Sequence, residues 1–257
     1  MKKIVKFKGG IGNQLFQFAF YKFLKSRNYD VAIDISWYED VKKTKNNLTI
    51  RKFLLNNIIN NFPETIYYKR SFKDRILSFR SENLKIYLAK KNIFYTNFFD
   101  GYWQDIYFAQ HLTLNDFRNN LRKSDYDLPE KYYILHMRYG DFKSSKAHEC
   151  LSEKFYLNNI DKLKKYPVFV LTDDNEQAEQ IIKKTKQEIK ILNTSDLEAF
   201  SIILNSDGGI ASNSTFCWWP IFLSKNKNWY MPKKWLKNKD IFEANMYISG
   251  TNIIKDN

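Results

Sequence analysis

Residues 132–231 alternate short β-branched or aromatic runs with segments of helical period, and no other feature of the chain constrains its fold as tightly. The spacing predicts strands over 132–136, 168–171, 189–192, 209–211 and 229–231. Helices are expected between them over 153–165, 176–187, 197–205 and 215–224. A strand, a helix and a further strand make a parallel βαβ unit with a right-handed crossover, so this half reads as an open parallel sheet covered by helices. The first half carries the same pattern less cleanly. A strand at 3–7 ends in Gly9-Gly10, and a helix runs from Asn13 to near Asn28 with Leu15, Phe18, Ala19 and Phe23 on one face. Strands are predicted at 29–34 and 93–95, and a helix from about 105 to Arg122. The stretch 44–91 has no clean period and reads as helical or irregular. A polar, Pro-containing segment at 124–130 marks a boundary. The expected fold class is α/β, with two Rossmann-like αβα lobes (1–128 and 129–257) facing a cleft. In such sheets ligands lie beyond the carboxyl ends of the strands.

With 257 residues, 44% hydrophobic and 27% charged, the chain has the make-up of a globular protein. Two cysteines supply no disulfide framework, and three histidines without HExxH spacing argue against zinc. The longest uncharged run, 208–224, falls short of the ~20 apolar residues of a membrane span and contains Ser212-Asn213-Ser214-Thr215. The opening Met-Lys-Lys leads straight into a strand with no apolar signal core, so a cytoplasmic location is expected. The net charge of +14 suits an anionic substrate and leaves peripheral contact with an anionic membrane open. It also leaves open a non-enzymatic nucleic-acid binder, although no helix-turn-helix or RNP-like pattern accompanies it.

Four constellations fall at strand ends. Gly9-Gly10-Ile11-Gly12-Asn13-Gln14 joins a strand to a helix, where glycines let a phosphate or sugar approach backbone N–H groups. With Asp34 it imitates a dinucleotide fingerprint, but the third small residue is replaced by Leu15. His136-Met137-Arg138-Tyr139-Gly140-Asp141 offers a guanidinium that forks onto two phosphate oxygens. In Thr172-Asp173-Asp174, one aspartate is expected to cap the next helix and the other to meet a ribose or base. Ser212-Asn213-Ser214-Thr215-Phe216 opens a helix directly after a strand, a cradle for a diphosphate. Asp125-Tyr126-Asp127 matches a metal-binding DxD in letters only; it precedes Pro129 and reads as a turn.

In order and spacing these motifs resemble the α-1,2-fucosyltransferases of glycosyltransferase family 11, to which Gly101-Tyr102-Trp103-Gln104 and Pro232-Lys233-Lys234-Trp235 are also similar. The resemblance spans residues 9 to 235. It implies a GT-B-type fold, GDP-fucose as donor, a galactose-containing acceptor, inversion at the anomeric carbon, and neither cofactor nor obligatory metal. It makes the first lobe the acceptor side. Arg138 becomes the counter-ion of the donor diphosphate. Inversion also calls for a base toward the acceptor hydroxyl unless the transition state is strongly dissociative; Asp141, at the same strand end, is the first candidate and otherwise orients Arg138, with His148 and Glu149 as weaker ones. Gly12, Asn13, His136, Asp173, Ser212, Asn213, Ser214, Thr215 and Phe216 become donor-binding residues. Another GT-B transferase with a different nucleotide sugar or acceptor is the nearest alternative. The family commonly carries Arg where this chain has Tyr139, so one positive charge is expected to be missing near the phosphates.

Overall fold

The computed structural model describes residues 1–39, 45–46, 49–77, 80–118, 121 and 126–256. Arg122, Ser124 and Asp125, where a helix end, a linker and half of the DxD match are expected, lie outside the described residues. The chain divides into two compact units, Met1–Phe117 and Arg118–Asn257.

The first unit is built on a four-stranded, all-parallel sheet of β1 (Lys3–Lys6), β2 (Val31–Asp34), β3 (Thr65–Ile66) and β4 (Phe98–Asp100), in the order β3-β2-β1-β4. Helix α1 (Ile11–Ser26) crosses from β1 to β2 and is apolar on more than one side. Phe16, Phe20 and Phe23 are fully buried, and Phe20 stacks on Trp103 with ring centroids 3.8 Å apart. Each such ring contributes about 1.5–3 kcal/mol through burial. The Gly-Tyr-Trp-Gln motif is therefore in part a core element. Within 44–91 the structure places β3 and α2 (Glu82–Lys90), the latter capped by Ser81 Oγ, which accepts from Leu84 N–H. The strand expected at 93–95 lies instead at Phe98–Asp100. Phe94 has the β-forming character that suggested the earlier position, but its ring packs against Tyr29 and Phe99, and β1 pairs with 98–100. The helix expected to reach Arg122 is a single turn, Ile106–Ala109, followed by a 3-10 turn at Leu114–Asp116.

The second unit contains a six-stranded parallel sheet. Its strands are β5 (Tyr133–Met137), β6 (Val168–Thr172), β7 (Ile189–Ile191), β8 (Gly209–Ile210), β9 (Trp229–Pro232) and β10 (Asn252–Ile254), in the order β10-β9-β8-β5-β6-β7. The helices between them are α3 (Glu153–Leu157), α4 (Asn175–Ile182), α5 (Asp196–Asn205) and α6 (Thr215–Leu223). From β5 the chain first builds outward through β6 and β7, then returns to β5's other side with β8. The boundary between β5 and β8 is thus a topological switch point, where a crevice opens at the strands' carboxyl ends. Gly209, at φ +152°, permits that pairing, because a Cβ there would overlap the carbonyl oxygen of Ile134. The 208–224 run is this strand followed by α6. No helix among the described residues is long and apolar enough to cross a membrane.

Candidate functional site

The β5–β8 switch point collects six of the residues singled out in the sequence. His136, near the end of β5, is 5% exposed, and its Nδ1 lies 2.9 Å from the Oγ of fully buried Ser212, two residues past β8. That hydrogen bond spans the place where the sheet changes direction. Burial, helped by the positive charge of Arg138, pushes the His136 pKa down to about 3, so the ring is a neutral partner for Ser212 at physiological pH. The Phe216 ring, in the first turn of α6, stacks on His136 with centroids 5.9 Å apart.

Arg138 lies one residue past β5, its side chain only 19% exposed. Nη2 donates to Asp141 Oδ1 at 2.7 Å and Nη1 pairs with Asp173 Oδ2 at 3.0 Å. The Phe142 ring lies 5.7 Å from the guanidinium carbon. Two carboxylates thus fix the fork in place and outweigh its charge, giving the triad a net formal charge of −1. Nε of Arg138 is buried and has no hydrogen-bond partner among the described residues. An unpaired buried donor of this kind costs about 1–3 kcal/mol.

Asp173 and Asp174 divide their roles as expected for one of them. Asp174 caps α4, accepting from Gln177 N–H at 3.1 Å. Asp173 accepts from Tyr139 N–H at 2.8 Å as well as from Arg138, so in this structure its carboxylate orients the guanidinium. Gly140 makes room for it: a Cβ at 140 would overlap Asp173 Oδ2. The supporting role of Asp173 was not legible in the sequence, since a pair 35 residues apart becomes adjacent only through the β5–β6 pairing.

The Ser212–Phe216 segment does not present all its side chains together. Ser214 Oγ caps α6 by accepting from Phe216 N–H at 3.2 Å, and Thr215 is half-buried beside it. Asn213 is 2% exposed and donates to the carbonyls of Glu149 and Trp235 at 2.9 and 3.1 Å, tying two loops together. Tyr139 also departs from expectation. Its ring lies in the hydrophobic cluster with Leu151 and Tyr156, because successive residues leaving a strand point to opposite sides. Burial raises its hydroxyl pKa. Position 139 therefore faces the core, away from the Arg138 side. Of the weaker base candidates, His148 stacks on Phe142 at 4.5 Å, and burial lowers its pKa.

The first unit has its own switch point, between β1 and β4, and it too is bridged. Lys8 Nζ lies 2.6 Å from Asp100 Oδ1 and 4.7 Å from the ring centre of the exposed Tyr102. Gln17 links the same two strand ends through its bonds to Lys8 and Gly101. Gly12 is buried in the first turn of α1, and Asn13 Oδ1 accepts from Gln104 Nε2 at 2.7 Å. Asp34, the would-be ribose acceptor of a dinucleotide site, is fully buried. It accepts from Ser36 N–H and Oγ and from Tyr68 N–H, which commits both oxygens to the fold. Among the described residues no group of three or more His, Cys, Asp or Glu could hold a metal ion.

A family model described as "Glycosyl transferase family 11" matches residues 3–249. Among solved structures the chain resembles the fucosyltransferase NodZ from Bradyrhizobium at 12% identity and a TM-score of 0.55, over 87% of this chain and 92% of that one. A NodZ α-1,6-fucosyltransferase co-crystallised with GDP gives the same figures. The same enzyme soaked with GDP-fucose gives a TM-score of 0.54 at equal identity and coverage. No curated protein matches. At this identity the likeness concerns the fold, two Rossmann-like α/β units of the GT-B type.

Proposed function

The chain belongs to glycosyl transferase family 11, and we propose on that premise that it moves L-fucose from GDP-fucose to a hydroxyl of a galactose-containing glycan. We take the linkage to be α-1,2 and the product to be a glycan or surface polysaccharide. The observation that carries the donor half is Arg138 at the β5–β8 switch point, clamped by two carboxylates with 19% of its side chain still exposed. The solved α-1,6-fucosyltransferase structures, co-crystallised with GDP and soaked with GDP-fucose, support the same donor class here.

In this reading fucosyl transfer builds positive charge on the sugar and negative charge on the departing diphosphate. Arg138, held in a fixed orientation, stabilises the leaving group more than the ground state, which is the form of binding that accelerates reaction. Phe216 and neutral His136 wall the crevice, and Asp141 takes the acceptor proton as transfer inverts the anomeric carbon. Asp141 is also the partner Arg138 must share with the diphosphate, so donor binding releases a carboxylate beside the reacting centre. The acceptor is assigned to the β1–β4 switch point, where the exposed Tyr102 ring and the Lys8–Asp100 pair offer a sugar both a stacking face and polar partners. The mechanism assigns the leaving-group charge to Arg138 and invokes no obligatory metal; activity abolished by EDTA and restored only by Mn²⁺ would overturn that part. A cytoplasmic location fits the Asn213-Ser214-Thr215 sequon, whose asparagine is buried in the fold where no glycan could be accommodated.

The test is calorimetric titration with GDP-fucose, GDP-mannose and UDP-galactose, followed by turnover on a panel of β-galactosides with the linkage assigned by NMR. GDP-fucose should bind alone or far more tightly, and Arg138→Ala should lower turnover by ~10²–10³. Arg138→Lys should recover little, since an ammonium cannot fork. Preference for another nucleotide sugar would favour the other-transferase reading. Near-wild-type turnover in either variant would remove Arg138 from the site.

A further inference from the structure

The segment from Tyr67 to Ile93 belongs to the stretch that none of the sequence motifs explains, and two unusual properties coincide in it. It holds six of the nine large hydrophobic side chains exposed among the described residues: Tyr67, Phe72, Ile76, Leu84, Tyr87 and Ile93. It also holds eight Lys and Arg against two acids, a net +6 of the whole chain's +14. Scattered exposed hydrophobics need no explanation, but a concentration of them on a strongly basic surface does.

Local structure puts the two properties side by side. Phe72 and Ile76, 77% and 58% exposed, are four apart on the helix Phe72–Leu77 and share a face. Leu84 and Tyr87 share the outer face of α2, with Lys91 one turn on, while Lys85, Ile86 and Ala89 face inward. The two acids are turned to internal work. Asp74 accepts from Tyr68, and from Ser71 through both its N–H and its hydroxyl, while Glu82 accepts from Trp103 N–H at 2.6 Å. Part of the basic charge is likewise spent inside, Arg70 and Lys85 on Asp100 and Lys90 on Asp105. Lys69, Lys73 and Lys91 are left exposed within a few residues of the apolar groups.

We infer that this face docks the protein on an anionic phospholipid surface, with Phe72, Ile76, Leu84 and Tyr87 entering the headgroup region and Lys69, Lys73 and Lys91 meeting the lipid phosphates. The pairing of aliphatic and aromatic groups with lysines matches a bilayer's own layering of apolar chains beneath negative headgroups. A nucleic acid would use the charge and the rings but gives Ile76 and Leu84 nothing to enter. A second copy of the chain would bring +6 against +6.

The experiment is co-sedimentation of the full chain with vesicles of phosphatidylcholine alone and with about 30% phosphatidylglycerol, at low salt and in ~0.5 M NaCl. Wild type should pellet with the anionic vesicles at low salt and not with the neutral ones. Lys69→Gln, Lys73→Gln and Lys91→Gln combined should weaken that partition about a hundredfold, at roughly fivefold per lysine. Phe72→Ser with Ile76→Ser should weaken it at least about tenfold by removing the buried apolar area. GDP affinity serves as the folding control in both variants, since none of these side chains belongs to the donor site. Wild type that stays in the supernatant, or binding that either variant leaves intact, overturns the inference. So does concentration-dependent self-association abolished by Phe72→Ser with Ile76→Ser, which would make the face a protein interface. DNA binding lost with the lysines but indifferent to the apolar pair would reassign it to nucleic acid.

Discussion

Arg138 shares its charge with Asp141 and Asp173, which makes opposite effects on binding and turnover separable in one substitution. In the proposed reaction a bound diphosphate lies beside a triad of net charge −1, so replacing Asp141 with Asn removes one repulsive charge while leaving the side chain's shape. Two charges roughly 6 Å apart interact by about 1–3 kcal/mol for an effective dielectric between water and a protein surface. The triad's side chains are 19–27% exposed, so the lower end of that range applies. Asp141→Asn should therefore tighten GDP about fivefold at low ionic strength, with the gain shrinking in high salt. The same variant loses the proposed acceptor base and should turn over ~10²–10⁴ times more slowly. Asp173→Asn is the control, because it relieves the same repulsion and its amide oxygen still accepts from Tyr139 N–H. It should tighten GDP by a similar factor and keep far more of the turnover. Calorimetry with GDP, and initial rates at saturating donor, read the two effects independently. Weaker GDP binding in Asp141→Asn, or turnover within about twofold of wild type, would refute both the charge accounting and the base assignment.

Gly140→Ala should displace Asp173 and loosen Arg138, costing about 1–3 kcal/mol of stability and at least tenfold in kcat/KM; in an Asp173→Ala background, where the overlap is gone, the same change should cost little further stability, as a double-mutant cycle of melting temperatures would show. His136 stays neutral in the folded protein to about pH 3 and takes a proton near pH 6.5 when unfolded. Its contribution to stability is thus complete above about pH 6.5 and is lost as pH falls toward 3; His136→Gln, which does not titrate, should flatten that part of the melting temperature–pH curve. Asn213→Ala should lower stability by about 2 kcal/mol, since it leaves the Glu149 and Trp235 carbonyls without their donor, while GDP affinity in the folded fraction changes little.

The second unit was the more legible half because each of its central strands is flanked by helices of clear period, and the predicted strand positions hold to within a residue or so. Helix lengths were overestimated where side chains compete for backbone groups. Asn159 donates to the carbonyl of Phe155, and α3 stops at Leu157, resuming as a 3-10 turn. Thr185 does the same to Ile182, the last residue of α4. The edge strands Thr65–Ile66 and Asn252–Ile254 lack the neighbouring helices of clear period that mark the equally short Ile189–Ile191 and Gly209–Ile210, so the sequence does not reveal them. At the site, the residue types and their strand-end positions were readable. Their division of labour was not, because it depends on which strands become neighbours. His136 meets Ser212, and Arg138 meets Asp173, only after the sheet is ordered.

The outward and inward alternation along His136-Met137-Arg138-Tyr139 bears on how this motif tolerates change. Positions 136 and 138 should respond to substitution through donor recognition, while 137 and 139, sealed in the hydrophobic cluster, should respond through folding yield. An arginine at 139 would strand a cation among Leu151, Tyr156 and their neighbours. A library built to retune donor preference should hold 137 and 139 apolar and diversify the other two.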